Sequence, residues 1–198
     1  MPRKFADIAF TPAVKATQTR LGSRETYERF VANGPANDDI NEKASQFIVE
    51  RDSFYLSTVG EDGWPYIQFR GGPVGFLKIL DEKTLGFADF QGNLQYITVG
   101  NLSRNDRVFL FLMDYAHRRR LKLWGRAEVV EDNPELLARL ADPDYPAEVA
   151  RAILIHVEAL DWNCPQHIPL KYSERDVACK LAPLQQRIAE LEAQLEQS

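Results

Sequence analysis

The chain is poor in the residues that build covalent or metal-centred frameworks. Its 198 residues include two cysteines, Cys164 and Cys179, and three dispersed histidines, His117, His156 and His167. Two cysteines do not make a disulfide scaffold. A structural zinc site needs about four ligands, so no metal site is expected. Also missing is any apolar run near the roughly 20 residues a membrane-spanning helix requires. The opening MPRKFADIAFTPAVKATQTR is interrupted by polar residues every few positions, unlike a secretory signal. There is no excess of positive charge: 24 Lys and Arg against 29 Asp and Glu leave −5. No general attraction to nucleic acid or an anionic membrane is therefore expected. GGPVG at 71–75 has neither the dinucleotide fingerprint nor the Lys-Ser/Thr of a P-loop. These absences leave a soluble cytoplasmic protein, and 44% hydrophobic with 27% charged residues is ordinary for that class.

What is present is a series of short segments rich in β-branched and aromatic residues. They run at 54–59, 65–71, 75–80, 84–90, 107–115 and 120–130, punctuated by GEDGW, GGPV, DEK and AHRR. Asp62-Gly63 between two of them is a hairpin signal. Strands joined by hairpin-length links predict a small antiparallel barrel of six strands, mainly β with flanking helices, rather than a parallel α/β sheet. The long interval 90–107 breaks the meander and predicts a short helix covering the barrel. Segments 24–33 and 42–51 read as helices, 133–150 as one or two short ones, and 151–160 as a last strand. One domain is expected over 1–198, with a barrel core at about 45–132. A helical extension (1–44) precedes it and a C-terminal extension with a helix (133–198) follows. Leu181, Leu184, Ile188, Leu191 and Leu195 recur at three and four residues, an apolar seam that suits either packing on the same domain or a helix–helix contact across a dimer.

Three stretches could carry chemistry. In YIQFRGG the period of two puts Tyr66, Gln68 and Arg70 on one strand face and Ile67 and Phe69 on the other. Gly71-Gly72 allow close approach of a flat ligand or a backbone. In HRRRLKLW, Arg118, Arg120, Lys122 and Trp124 share a face, and buried cations at 120 and 122 would need an anionic partner. FADFQGNLQYIT sets three amides, Gln91, Asn93 and Gln95, around Gly92 between strand and helix. In DWNCPQH, Cys164 with His167 lacks any further support as a nucleophile. Trp162 and Asn163 read as pocket or packing residues.

Taken together, PYIQFRGG, FADFQGNLQYITVGNLSRNDRVFLFLMDY and RRRLKLWGRAEVV, in that order, resemble the pyridoxamine 5′-phosphate oxidase-related family of FMN-binding split barrels. The flanking DIAFTPAVKATQTRLGSRETY and DWNCPQHI are similar to an uncharacterised branch of it rather than to the vitamin B6 oxidase itself. The resemblance implies a homodimer with FMN in clefts at the interface. It sets Gln68, Phe69, Arg70 and Gly71 beside the flavin. In the segment that would bind the phosphate, Asp89 and Phe90 close the strand and Gly92, Asn93 and Gln95 face the phosphate, with Arg120 and Lys122 on the strand that reaches the flavin. Where the oxidases carry an Arg-Lys pair this chain has Leu94-Gln95, so the charge for a phosphate is expected from Arg70, the Arg118–Arg120 cluster or Arg104. The function implied is an FMN-dependent oxidoreductase using NADH or NADPH and a small-molecule substrate, with no catalytic side chain named. The wider family also admits non-catalytic binding of flavin, deazaflavin or haem, and a dimeric structural domain without a cofactor remains a third reading.

Overall fold

Alternating apolar residues become alternating burial. The computed structural model describes residues 2–162 and 165–196. Its strands are β1 (Ser53–Val59), β2 (Pro65–Gly71), β3 (Lys78–Asp81), β4 (Thr84–Phe90), β5 (Arg107–Asp114), β6 (Arg119–Val130) and β7 (Val149–Trp162). Its helices are α1 (Lys4–Ala9), α2 (Pro12–Arg20), α3 (Arg24–Ala32), α4 (Glu42–Val49), α5 (Ile97–Leu102), α6 (Pro134–Leu140) and α7 (Glu174–Glu196). Phe54 and Leu56 of β1, Val108, Leu110 and Leu112 of β5, and Leu121 and Leu123 of β6 all point into one core. Each large apolar side chain buried there contributes roughly 1.5–3 kcal/mol.

The strands form one sheet in the order β2-β1-β5-β6-β7-β4-β3. The pairings β1–β2, β1–β5, β3–β4, β4–β7 and β6–β7 are antiparallel. This is the split-barrel architecture expected, with seven strands in place of six. The added strand is the 151–160 segment, lengthened at both ends, and it lies between β6 and β4. Its partners are distant in sequence, so its position could not be read locally.

Gly125 marks a register shift between β6 and β7. A Cβ there would stand 2.5 Å from the His156 carbonyl oxygen, so the close strand approach requires glycine.

Helices cover the sheet. α4 contributes Ala44, Phe47 and Ile48 to the core, and the Asn41 side chain caps it by accepting from the Ala44 N–H at 3.0 Å. α1 lays Phe5 on Trp124, ring centroids 6.0 Å apart, and Phe10 and Val31 join the same cluster. The outer face of β6 at Trp124 is thus covered by the N-terminal extension. The interval 133–150 holds one helix, α6, begun by Asn133 and Pro134. No helix among the described residues is long and apolar enough to cross a membrane.

The chain divides into two compact units. One comprises Met1–Met113 and Arg120–Asn163 and contains the barrel. The other comprises Asp114–Arg119 and Cys164–Ser198. Within the second, the buried Asp114 carboxylate accepts from Arg119 at 2.9 Å, and Lys171 lies over the Tyr115 ring.

Candidate functional site

A cleft of about 470 Å³ opens between β2, β4, β7 and the segment leading into α5. Gln68, Arg70, Asp89, Asn93, Tyr96 and Arg151 are among its lining residues. Asp89 ends the buried run of β4, and the β4–β7 register sets it directly opposite Arg151. Arg70 reaches the same carboxylate from β2 and donates to Asp89 Oδ1. β2 and β4 lie near opposite ends of the strand order, so this ion pair ties the curled sheet together across the cleft.

Two guanidiniums therefore share one carboxylate. Arg70 and Arg151 have side chains 14% and 12% exposed. Arg151 Nε lies 3.5 Å from Asp89 Oδ2, its Nη1 donates to Glu131 Oε1 at 2.8 Å, and its guanidinium sits over the Tyr96 ring at 5.3 Å. The Nε of each arginine is buried without a hydrogen-bond partner. Arg151 Nε still faces the Asp89 carboxylate, whereas a buried donor left unmade, as at Arg70, costs about 1–3 kcal/mol.

The segment before α5 carries local strain. Leu94 and Tyr96 have φ of 60° and 53°, the left-handed region that costs a side-chain-bearing residue about 1–2 kcal/mol. The Asn93 side chain supports the turn by accepting from the Gln95 N–H at 3.3 Å. A Cβ on Gly92 would meet nothing within 4 Å, so the cleft floor is open there. Thr98, buried at the start of α5, donates its hydroxyl to Gln68 Oε1 at 2.7 Å. That bond fixes the Gln68 amide at the cleft wall.

The expected residues divide into two groups. Gln68, Arg70, Asp89, Phe90, Gly92 and Asn93 line the cleft. The others lie elsewhere. Phe69 turns to the outer face of β2 and packs edge-on against Tyr55. Gly71 sits between the Phe69 ring and the Asp52 carbonyl, and Gln95 is exposed outside the lining. Arg120 and Lys122 lie on the outer face of β6. Arg120 stacks over Phe111 with its own Nε unpartnered, and Lys122 pairs with Asp161. Of the proposed sources of charge, only Arg70 is in the cleft. Arg104 is exposed near Glu61, and Arg118 and Arg119 belong to the second unit. Trp162 packs on Phe47 and the core. Cys164 and Asn163 lie outside the described residues.

Arg151 was not among the expected residues. Its only local signal was an arginine at the start of an apolar strand, and the register against Asp89 is what brings it to the site. Arg70 and Arg151 stand against Asp89 and Glu148 in the lining, so the formal charges cancel. The donors fit a ligand rich in acceptors, such as a phosphate-bearing flavin, through directed hydrogen bonds more than through surplus charge.

A curled antiparallel sheet with a polar cleft beside it defines a split-barrel protein. Residues 40–160 match the pyridoxamine 5′-phosphate oxidase family, and the chain belongs to that family. It is similar to a variant of the HupZ protein of Group A Streptococcus, 17% identical over 63% of this chain and 99% of that one, TM-score 0.52. A second HupZ structure is 16% identical over 67% and 99%, TM-score 0.51. An FMN-binding protein from Syntrophomonas wolfei subsp. wolfei is 16% identical over 75% and 97%, TM-score 0.48. No curated protein matches the chain.

Proposed function

We propose that the cleft binds flavin mononucleotide and that the protein is an FMN-dependent oxidoreductase, passing hydride between a reduced nicotinamide and a small-molecule acceptor. The observation that carries this reading is that two buried arginines, Arg70 and Arg151, converge on one polar cleft in a chain of this family. When bound, the flavin would supply the hydride chemistry, and the protein supplies binding, orientation and electrostatics. Arg70 and Arg151 would hold the phosphate, with Asp89 keeping both guanidiniums aimed at the cleft. Gln68, steadied by Thr98, offers a fixed amide to the ligand. Hydride exchange with a nicotinamide requires no general acid or base from the chain. A nicotinamide reductant goes with a cytoplasmic location.

A second copy would complete the protein. The outer face of β1, β2 and β5 carries Tyr55, Ile67, Phe109 and Phe111 around an apolar groove of about 350 Å³. Beside it run Arg120 and the Lys122–Asp161 pair, a rim with both signs of charge. An apolar centre with such a rim is self-complementary about a two-fold axis, which supports a homodimer through this face.

The cancelling charges of the lining favour one rival. A site without surplus positive charge suits a carrier or sensor of flavin, deazaflavin or haem as well as an enzyme. The visible spectrum of the purified protein and the FMN released on denaturation test the cofactor. Stopped-flow mixing of the FMN-loaded protein with NADH or NADPH then separates the readings. Rapid bleaching of the flavin band supports the oxidoreductase, and an unchanged band supports the carrier. A colourless protein that takes up no added FMN overturns both flavin readings.

A further inference from the structure

The cleft makes no use of the C-terminal helix, which has a stripe of its own. On α7, Val177, Leu181, Leu184, Ile188, Leu191 and Leu195 alternate at intervals of four and three and are 41–75% exposed. Val177 extends the seam read from the sequence by one position. In heptad terms Leu181, Ile188 and Leu195 are a residues, and Val177, Leu184 and Leu191 are d residues. Leucine at two of the three d positions, with β-branched Ile188 at the central a position, suits a two-stranded parallel coiled coil. Pro183 and Cys179 fall at outward c and f positions, where they leave the seam clear.

The flanking charges decide the orientation. Lys180, Arg187 and Gln194 occupy g, and Ala178, Gln185 and Glu192 occupy e. In a parallel, in-register pair each g residue faces the e residue of the next heptad on the other helix. Arg187 then faces Glu192 of the second copy, twice by symmetry. In an antiparallel pair g faces g, and Arg187 would meet Arg187, which opposes that arrangement. Within one helix Arg187 Nη1 holds Glu190 Oε2 at 3.0 Å, but both side chains are about half exposed. An exposed ion pair of this kind is weak and exchanges readily.

We infer that α7 pairs with α7 of a second copy as a parallel, in-register two-stranded coiled coil. This goes beyond the flavin reading and needs no ligand. The seam is about three heptads long, short for a free-standing coiled coil, so the test uses the full chain.

In a Cys164→Ser, Cys179→Ser background, Leu184→Cys is oxidised under mild conditions and compared with Gln186→Cys at an outward f position. The pairing predicts that Leu184→Cys becomes a disulfide-linked dimer at least ten times faster. Arg187→Glu should slow that cross-link, and adding Glu192→Arg should restore it. Equal rates at 184 and 186 overturn the pairing. Preferential cross-linking in a mixture of Leu184→Cys with Ile188→Cys chains, with little 184–184 product, overturns the parallel register.

Discussion

Asp89→Asn should move stability and ligand affinity in opposite directions. The carboxylate is buried and is shared by Arg70 and Arg151. Removing one member of a buried ion pair costs about 3–5 kcal/mol. Here the arginine side chains retain 14% and 12% exposure, and Glu131 keeps its hold on Arg151. The expected loss is therefore smaller, about 2–3 kcal/mol, because solvent and a remaining partner screen the unpaired charge. The same change raises the positive charge at the cleft by one unit. At a separation of about 5 Å, with an effective dielectric between that of water and a protein surface, one charge is worth about 1–3 kcal/mol. A phosphate held there should bind about tenfold tighter, the equivalent of about 1.4 kcal/mol. Urea unfolding of the ligand-free variant reads the first effect. Fluorescence titrations with FMN and with riboflavin, which lacks the phosphate, read the second. FMN should gain and riboflavin should not. An unchanged unfolding midpoint, or equal gains for both ligands, would refute the charge accounting.

Three further expectations come from other parts of the molecule. Gly125→Ala brings a Cβ to 2.5 Å from the His156 carbonyl oxygen, so it should cost at least about 2 kcal/mol in urea unfolding or shift the β6–β7 register. Leu94→Gly removes the left-handed strain at φ 60° and, net of the chain entropy glycine adds, should stabilise by about 0.5–1 kcal/mol. At the start of α7 the Ser173 hydroxyl and N–H both donate to the Asp176 carboxylate and hold its pKa below the ordinary 3.8, the hydroxyl bond contributing most. A carboxyl with a depressed pKa stabilises the helix start fully above the unfolded value, and the contribution is lost as pH falls through the folded pKa. By NMR the Asp176 carboxyl should titrate below 3.8 in the native chain and rise in Ser173→Ala; identical titrations would contradict the capping role.

Much of the fold was legible because local pattern and tertiary burial agree. Phe54, Leu56, Leu110, Leu112, Leu121 and Leu123 alternate in sequence and are buried in the structure. The same period put Gln68 and Arg70 on one face and Phe69 on the other, and of the four residues the resemblance set beside a flavin, Gln68 and Arg70 line the cleft while Phe69 lies on the outer face. Long-range register was not legible. Arg151 reaches Asp89 only because β7 enters the sheet beside β4, and no local signal encodes that neighbour. Buried cations at 120 and 122 need partners. Asp161 of β7 pairs with Lys122, and the Phe111 ring lies under Arg120, so both cations lie outside the cleft lining. The first two helices leave little local signal, since Lys4–Ala9 is short and Pro12–Arg20 buries no residue.

If Arg70 and Arg151 hold an acceptor-rich flavin in the cleft, each should contribute separately to its affinity. The most direct measurement is fluorescence titration of FMN into the ligand-free protein and into Arg70→Ala and Arg151→Met. FMN should bind saturably to the native chain and at least tenfold more weakly to each variant, with riboflavin far less affected. FMN binding that neither substitution weakens, or no binding at all by the native chain, would contradict it.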